Sequence, residues 1–492
     1  MKTALILYPH QLFPGDMLPQ VDTVILVEEP LYFGVDQQHP MRVHKQKLIL
    51  HRASMRRYVE EVLWPAKLEV DYVDLDVFMS SGDVLDRIKK FEKVYIFDPI
   101  NEILTSRLLA ARRERGDGAQ LEFLQSPNFY LKDQEVREYF ANKHNHVFTD
   151  FYQWQRERFN ILIDETYKPV GGKWNFDDQT HEKLPKDQTL PSFGVYGDNK
   201  YVTDAIAYVT EHFPNNPGST DFIWPTSHQE ATKWLEDFVA HRLDLFGPYQ
   251  EALDGQAAWL YHSALSSSLN TGLLSPQQVV QAALKRDSKE PVGLPSLESF
   301  IRQVLGWREF TRGEYVVRGS VMQKSNPFKH QRKLGHAWFS GNLGIPPFDE
   351  VTKKTLAHGY VHQNERLMIA ANLMTLCEIH PDEIHRWFSE LFVDAYDWAV
   401  IPNTYGIGQF ADTVKPYISA STGVLAVSNY ERGLWSDIWD GLYWRFIEKN
   451  SEVIKHNPRL RPMVQRLERL DPDHRRVISY RAEDFLNKFT VQ

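Results

Sequence analysis

The sequence predicts two folded halves of different class: an amino-terminal α/β domain on a parallel, Rossmann-like sheet, then an all-α carboxy-terminal domain. Three observations predict this. The chain has 492 residues, more than one typical core accommodates. Up to residue 135, short β-branched runs alternate with helical patterns, as strands joined by crossover helices do. From residue 228 onward, apolar residues recur at helical spacing. The divisions are 1–135 for the α/β domain, 136–227 for a connector and 228–492 for the helical domain.

Five runs read as strands: TALILY (3–8), TVILVEE (23–29), EVDYVDL (69–75), KVYIFDP (93–99) and QLEFLQS (120–126). Between the second and third lies a helical pattern over 41–63. No G-x-G-x-x-G follows the first strand, so the dinucleotide fingerprint of such sheets is missing. Residues 167–200 are rich in Gly, Pro and Asp and read as a long loop. In the helical half, 227–246 reads as a helix stopping before Gly247-Pro248. Ser275 is an N-cap with Pro276 at the first helical position. Single helices are expected over 295–316, 365–379 and 382–400.

Composition narrows the function. Net charge is −9, so nucleic acid contact needs a local basic patch, and KSNPFKHQRK (324–333) offers one, unless it is a solvated loop. Cys377 is the only cysteine, which excludes a disulfide framework and any multi-thiolate cluster. No apolar run of spanning length occurs and the first residues read as a strand rather than a signal peptide, so a cytoplasmic, membrane-free monomer is expected. Aromatic residues make up 13%, fitting a large aromatic core or a buried planar cofactor.

HSALSSSLNTGLLSP (262–276) places five serines, an asparagine and a threonine at the start of a helical stretch. Hydroxyls and amide N–H groups there suit an anionic phosphate, aided by the helix dipole; plain helix caps are the alternative reading.

The motifs that follow, LGWREFTRG (305–313), NERLMIAANLM (364–374), DAYDW (394–398) and GQFAD (408–412), together with KPVGGKWNFD (168–177) and FGPYQEALD (246–254), resemble the photolyase/cryptochrome family over nearly the whole chain, in particular its bacterial (6-4) branch. The resemblance implies an antenna-type α/β domain, a helical FAD domain and light-driven repair of UV-damaged DNA by electron transfer, or else a cryptochrome-type photoreceptor without repair. A colourless nucleotide-binding protein is the reading that discards it.

Carried over residue by residue, Ser263, Leu265 and Ser266 match the phosphate-holding segment, and Tyr249 and Gln303 match flavin-contacting positions. Arg366 and Asp394 match a pair at the flavin edge, with Asp397 and Asn403 as further ring contacts. Glu309 and Tyr417 are expected on the lesion side. Trp387 matches an electron-transfer tryptophan; Phe388 stands where tyrosine is frequent, and Trp338 is expected as the outer member. EEPLYF (28–33) and HKQK (44–47) match the antenna region, which holds a lumazine, a folate or nothing; a solvated helix face also explains HKQK.

Two departures stand out. The branch carries four cluster-binding cysteines, three of them in the region that here reads SNYERGLWSDIWDGLYW (428–444), so no iron–sulfur cluster is expected and Trp435, Trp439 and Trp444 are expected to hold that segment by packing. In GYVHQNERLM (359–368), His362 is followed by Gln363 where the branch has a second histidine, and glutamine is no general acid.

Overall fold

The computed structural model describes residues 2–491 except 76–80, 116–119, 142, 144, 256, 412–416, 457–459 and 468. Asp412 of GQFAD therefore lies outside the described residues.

All five expected strands form: β1 (Thr3–Leu7), β2 (Thr23–Val27), β3 (Glu69–Val73), β4 (Lys93–Phe97) and β5 (Gln120–Leu124). They make one parallel sheet in the order β3-β2-β1-β4-β5, with Ile6 of β1 in register with Ile25 and Ile96. Every residue of β2 is buried, as expected when helices cover both faces. Strand order reverses between β1 and β4, and the carboxyl ends at such a switch form a crevice suited to a ligand.

The helices that position the site are α1 (Lys45–Tyr58), α2 (His228–His241), α3 (Leu243–Tyr249), α4 (Ser266–Thr271), α5 (Pro276–Lys289), α6 (Arg308–Gln323), α7 (Pro381–Leu391), α8 (Leu434–Lys449), α9 (Arg461–Leu467) and α10 (Pro472–Phe489). The α5 cap is the expected one: the Ser275 hydroxyl accepts from Gln278 N, and the Gln278 side chain accepts from Ser275 N, a reciprocal capping box. Among the described residues no helix is long and apolar enough to cross a membrane.

Several expectations need correction. Gly247-Pro248 does not end the helical run, because α3 passes through both. Proline has no N–H for the carbonyl four residues back; the Ser296 hydroxyl donates to that carbonyl, Asp244 O, at 2.8 Å instead. The long loop expected over 167–200 forms, carrying short 3₁₀ turns at Val170–Gly172 and Asp177–Gln179, while the rest of the connector holds helices at Phe148–Phe159 and Lys200–His212. The connector's end is tied to α1, with Trp224 Nε1 donating to Gln46 Oε1 at 3.0 Å. HKQK is no solvated face either, since His44, Gln46 and Lys47 are all buried.

The long helices expected over 295–316 and 365–379 are interrupted by π-helical turns at Arg302–Trp307 and Glu365–Ala371. The pattern over 382–400 breaks between α7 and a short helix at Asp397–Ile401. Period alone shows neither kind of interruption, and such turns gather at functional sites.

The segment 428–444 is held by packing, as expected from its tryptophans. Trp435 and Trp439 are buried and meet edge to face, and Trp439 Nε1 donates to Ser419 O at 3.0 Å. Trp444 is partly buried against Tyr443. On its other side α8 packs α10 so closely that a Cβ at Gly441 would lie 2.2 Å from Ile478 O. Gly441→Ala is therefore expected to cost about 1–3 kcal/mol, read as a lowered thermal midpoint.

Candidate functional site

The break after α7 places the key groups. Phe392 is extended, which swings Asp394 off the helix axis. Val393 N donates to Gly359 O at 2.9 Å, and buried Lys47 of α1 donates to Ala395 O. Asp394 thus faces Arg366 on the π-helical turn. Arg366 Nη1 and Nη2 donate to its two carboxylate oxygens at 2.9 and 3.0 Å, a bidentate geometry that fixes orientation as well as charge. Ser266 Oγ donates to Asp394 Oδ2 at 2.5 Å, and Asn270 Nδ2 to Asp394 O at 2.8 Å. Arg308 Nη1 in turn donates to Asn270 Oδ1 at 2.6 Å.

The serine segment, the W-R-E-F helix, the N-E-R-L turn and the D-A-Y-D-W break, far apart in sequence, therefore meet at Asp394. Ser263 is half-buried beside this cluster, and its carbonyl accepts from Trp234 Nε1 at 2.8 Å. Leu265 is buried, and Ala264 before it is held at φ +50°, a left-handed conformation that alanine adopts at a cost. Among the described residues no hydrogen bond joins Tyr249 or Gln303 to the cluster: Tyr249 lies against Tyr261 with centroids 5.5 Å apart, and Gln303 is half-buried on the turn before α6.

Asp397 points toward the α/β domain. Asn101 Nδ2 donates to it at 3.0 Å; against the effect of burial, the neighbouring His385 holds its carboxyl below the usual range. Gln363 Nε2 donates to Asn403 Oδ1 at 3.0 Å. His362 stacks on His262 with centroids 4.0 Å and planes 12° apart. Burial first, then the charges of His262 and neighbouring cations, push the His362 imidazole well below its ordinary pKa. Tyr417 OH donates to Ser419 Oγ at 3.1 Å, and burial pushes its phenol up to about 12.

Two placements correct the expectations. Glu309 does not open toward a lesion. It is fully buried, and its carboxylate accepts from Tyr130 N at 2.7 Å and Leu131 N at 3.2 Å. It thereby ties the end of the α/β domain to α6. Trp338 is no surface terminus: it is fully buried, and its indole donates to Phe489 O at 2.7 Å. Trp387, also buried, donates to the Trp338 carbonyl at 3.1 Å, with Phe388, Phe392 and Phe348 as its aromatic neighbours. Among the described residues, the rings that meet Trp387 are thus phenylalanines, which are hard to oxidise.

Glu309 also yields a pH prediction. Burial raises its carboxyl from 4.5 to about 6 despite Arg312. The folded state then binds the proton more tightly than the unfolded chain, so stability falls as pH rises from 4.5 to 6. The loss is on the order of 2 kcal/mol. Glu309→Gln is expected to flatten that limb of the stability–pH profile.

The groups at Asp394 fit a flavin dinucleotide. Hydroxyls and amides surround a fixed guanidinium–carboxylate pair; among the described residues Ser267 Oγ and His362 Nδ1 are buried without a hydrogen-bond partner, and His362 Nε2 lies 3.4 Å from Glu365 Oε2. Buried polar atoms without partners ask for a polar occupant. A second such place lies in the crevice outside β1 and β2. There, among the described residues, Tyr8 OH, His10 Nδ1, Gln11 Oε1, Glu29 Oε2 and His51 Nδ1 are buried without a hydrogen-bond partner. Tyr396, from the same break as Asp394, closes that crevice with its OH 2.9 Å from His51 Nε2.

A parallel α/β domain is thus joined through this cluster to a helical domain, two halves of different class meeting at one polar site. Residues 5–224 match the family described as deoxyribodipyrimidine photo-lyase-related protein, and residues 300–416 match the FAD binding domain of DNA photolyase. The chain belongs to the photolyase/cryptochrome family. A (6-4) photolyase of Agrobacterium fabrum is 29% identical over 95% of this chain and 94% of its own length. Two solved structures share the fold: a bacterial class III photolyase from Agrobacterium tumefaciens (TM-score 0.58, 16% identity, 97% of this chain and 92% of that one) and a Synechocystis cryptochrome (TM-score 0.55, 16% identity, 85% and 84%).

Sequence reasoning missed Asn270, Arg308 and Lys47 as members of the site. All three lie inside segments already singled out, but their roles depend on contacts across 38 or more positions.

Proposed function

We propose that this chain is an FAD-dependent photolyase that reverses UV-induced pyrimidine dimers in DNA, the (6-4) lesion first, acting as a cytoplasmic monomer. One observation carries the reading: Ser266, Arg366 and Asp394, drawn from three separate family motifs, form one hydrogen-bonded unit. In it Ser263, Ser266 and Ser267 present hydroxyls to a diphosphate, while Arg366 and Asp394 hold fixed charge at the ring edge. When bound, the flavin absorbs blue light and supplies a single electron to the lesion. The damaged base must leave its stack to come near so enclosed a site, where Gln363, Asn403 and Tyr417 offer hydrogen bonds.

The unpartnered groups at the β1–β2 crevice support an antenna chromophore, lumazine or folate, held by Glu29, His10 and His51. No iron–sulfur cluster is expected: Cys377 is the sole cysteine, and burial pushes its thiol up. Purified protein should hold no iron, and Cys377→Ala should leave the visible spectrum unchanged; a broad iron–sulfur shoulder would contradict this.

A second reading, a cryptochrome-type photoreceptor, is favoured by Gln363. Its amide is engaged by Asn403, and His362 beside it stays neutral, so neither donates a proton as an acid. Illuminating UV-damaged oligonucleotides with the reduced protein, followed by chromatography, separates the two. Restored pyrimidines support repair; no restoration of any lesion supports the photoreceptor.

A further inference from the structure

The chain is acidic, yet residues 455–476 carry one lysine and six arginines against three acids, a net +4 in a protein of net −9. Arg475 and Lys455 are ion-paired with Glu448 and Glu452, and four further arginines stand outside. Arg461, Arg466 and Arg469 are exposed on and just after α9, and Arg476 is exposed on the first turns of α10. Two of the three acids do little to neutralise them. Asp471 caps α10 by accepting from His474 N at 2.8 Å, and Asp473 lies 3.7 Å from Arg476 with both side chains almost wholly exposed. Among the described residues no acidic partner meets Arg461, Arg466 or Arg469; Arg461 Nε donates only to Lys455 O. One turn beyond Arg476, Tyr480 is 72% exposed. α9 and α10 lie outside α8, whose other side holds Ser419, the residue bonded to Tyr417. The basic surface is thus a layer removed from the candidate flavin site.

We propose that α9 and the start of α10 form an accessory DNA-binding surface that grips the phosphates of duplex DNA, whether or not a lesion is present. Charge complementarity selects the partner: like-signed groups held this close are satisfied by a polyanion. Arginine prevails over lysine, and its planar fork matches phosphate oxygens. An anionic membrane fits less well, since among the described residues the large exposed apolar side chains beside the patch are Val477 and Tyr480 on α10 and Val453, too few for the apolar face of an interfacial helix. The surface adds sequence-independent affinity and leaves lesion recognition to the other side of α8. The inference rests on the reading that the chain works on DNA, but its test needs neither light nor damage.

The test is binding of a fluorescently labelled, undamaged duplex to the full-length protein in the dark, across a salt series. Arg461→Gln/Arg466→Gln/Arg469→Gln is expected to weaken binding at low salt by about tenfold or more and to flatten log K against log salt by about 0.9 for each phosphate no longer neutralised. Lys67→Gln/Lys89→Gln/Lys90→Gln removes the same charge from exposed residues of the α/β domain and is expected to change binding far less. Unchanged affinity and slope in the arginine variant would overturn the proposal. So would an equal loss in the lysine variant, or tighter binding to phosphatidylserine vesicles than to the duplex. If the triple arginine variant melts early, Arg469→Gln alone is read the same way, with a slope change of about 0.9. Intact dark binding without photorepair would leave this surface standing and reject only the repair reading.

Discussion

Replacing Asp394 with alanine is expected to lower stability by about 3–5 kcal/mol and to abolish flavin retention. The carboxylate is 6% exposed and Arg366, its bidentate partner, 18%. Removing it strands a largely buried guanidinium, and leaving one partner of a buried pair uncompensated is far costlier than losing both. Ser266 loses its acceptor as well. Asp394→Asn keeps an acceptor for Ser266 but not the charge, so its stability should fall between the two. Urea unfolding with and without added FAD reads both effects, because FAD should stabilise the wild type and not the alanine variant.

Glu309→Ala is the second large effect expected. Its two oxygens satisfy the amides of Tyr130 and Leu131, and Arg312 Nη1 clamps the same strap by donating to Leu131 O at 2.7 Å. Alanine leaves two buried donors without partners, each costing about 1–3 kcal/mol, and removes a negative charge near Arg312. The loss should concentrate where the two halves meet. Limited proteolysis should therefore cut first near residues 125–135, while the α8–α10 packing remains protected. Uniform destabilisation of the whole chain would count against Glu309 as a tie between the halves.

The parallel sheet was legible because buried parallel strands must be almost wholly apolar, and TALIL and TVILV are. The Ser275 cap was legible because its chemistry is local. What the sequence hid depends on long-range contacts. Pro248 reads as a stop until Ser296, 48 positions on, bonds the freed carbonyl. HKQK reads as a wet helix face until Lys47 is seen buried against Ala395. Glu309 reads as a functional carboxylate, and only the position of Tyr130 and Leu131 shows it holding backbone. The motif residues Ser266, Arg366 and Asp394 converge, whereas no hydrogen bond brings Tyr249 or Gln303 to them among the described residues. The expected outer tryptophan, Trp338, is sealed by the chain's last strand, Thr490–Val491, and the helix before it, a contact across 151 positions.

The central claim is that the cluster around Asp394 holds FAD, and the most direct measurement is the absorption spectrum and FAD titration of the wild type beside Asp394→Ala. The wild type should show a structured blue flavin band and take up one FAD per chain, and the alanine variant should show neither. A wild type that stays colourless after reconstitution, or a variant that binds FAD as tightly as the wild type, would contradict the account.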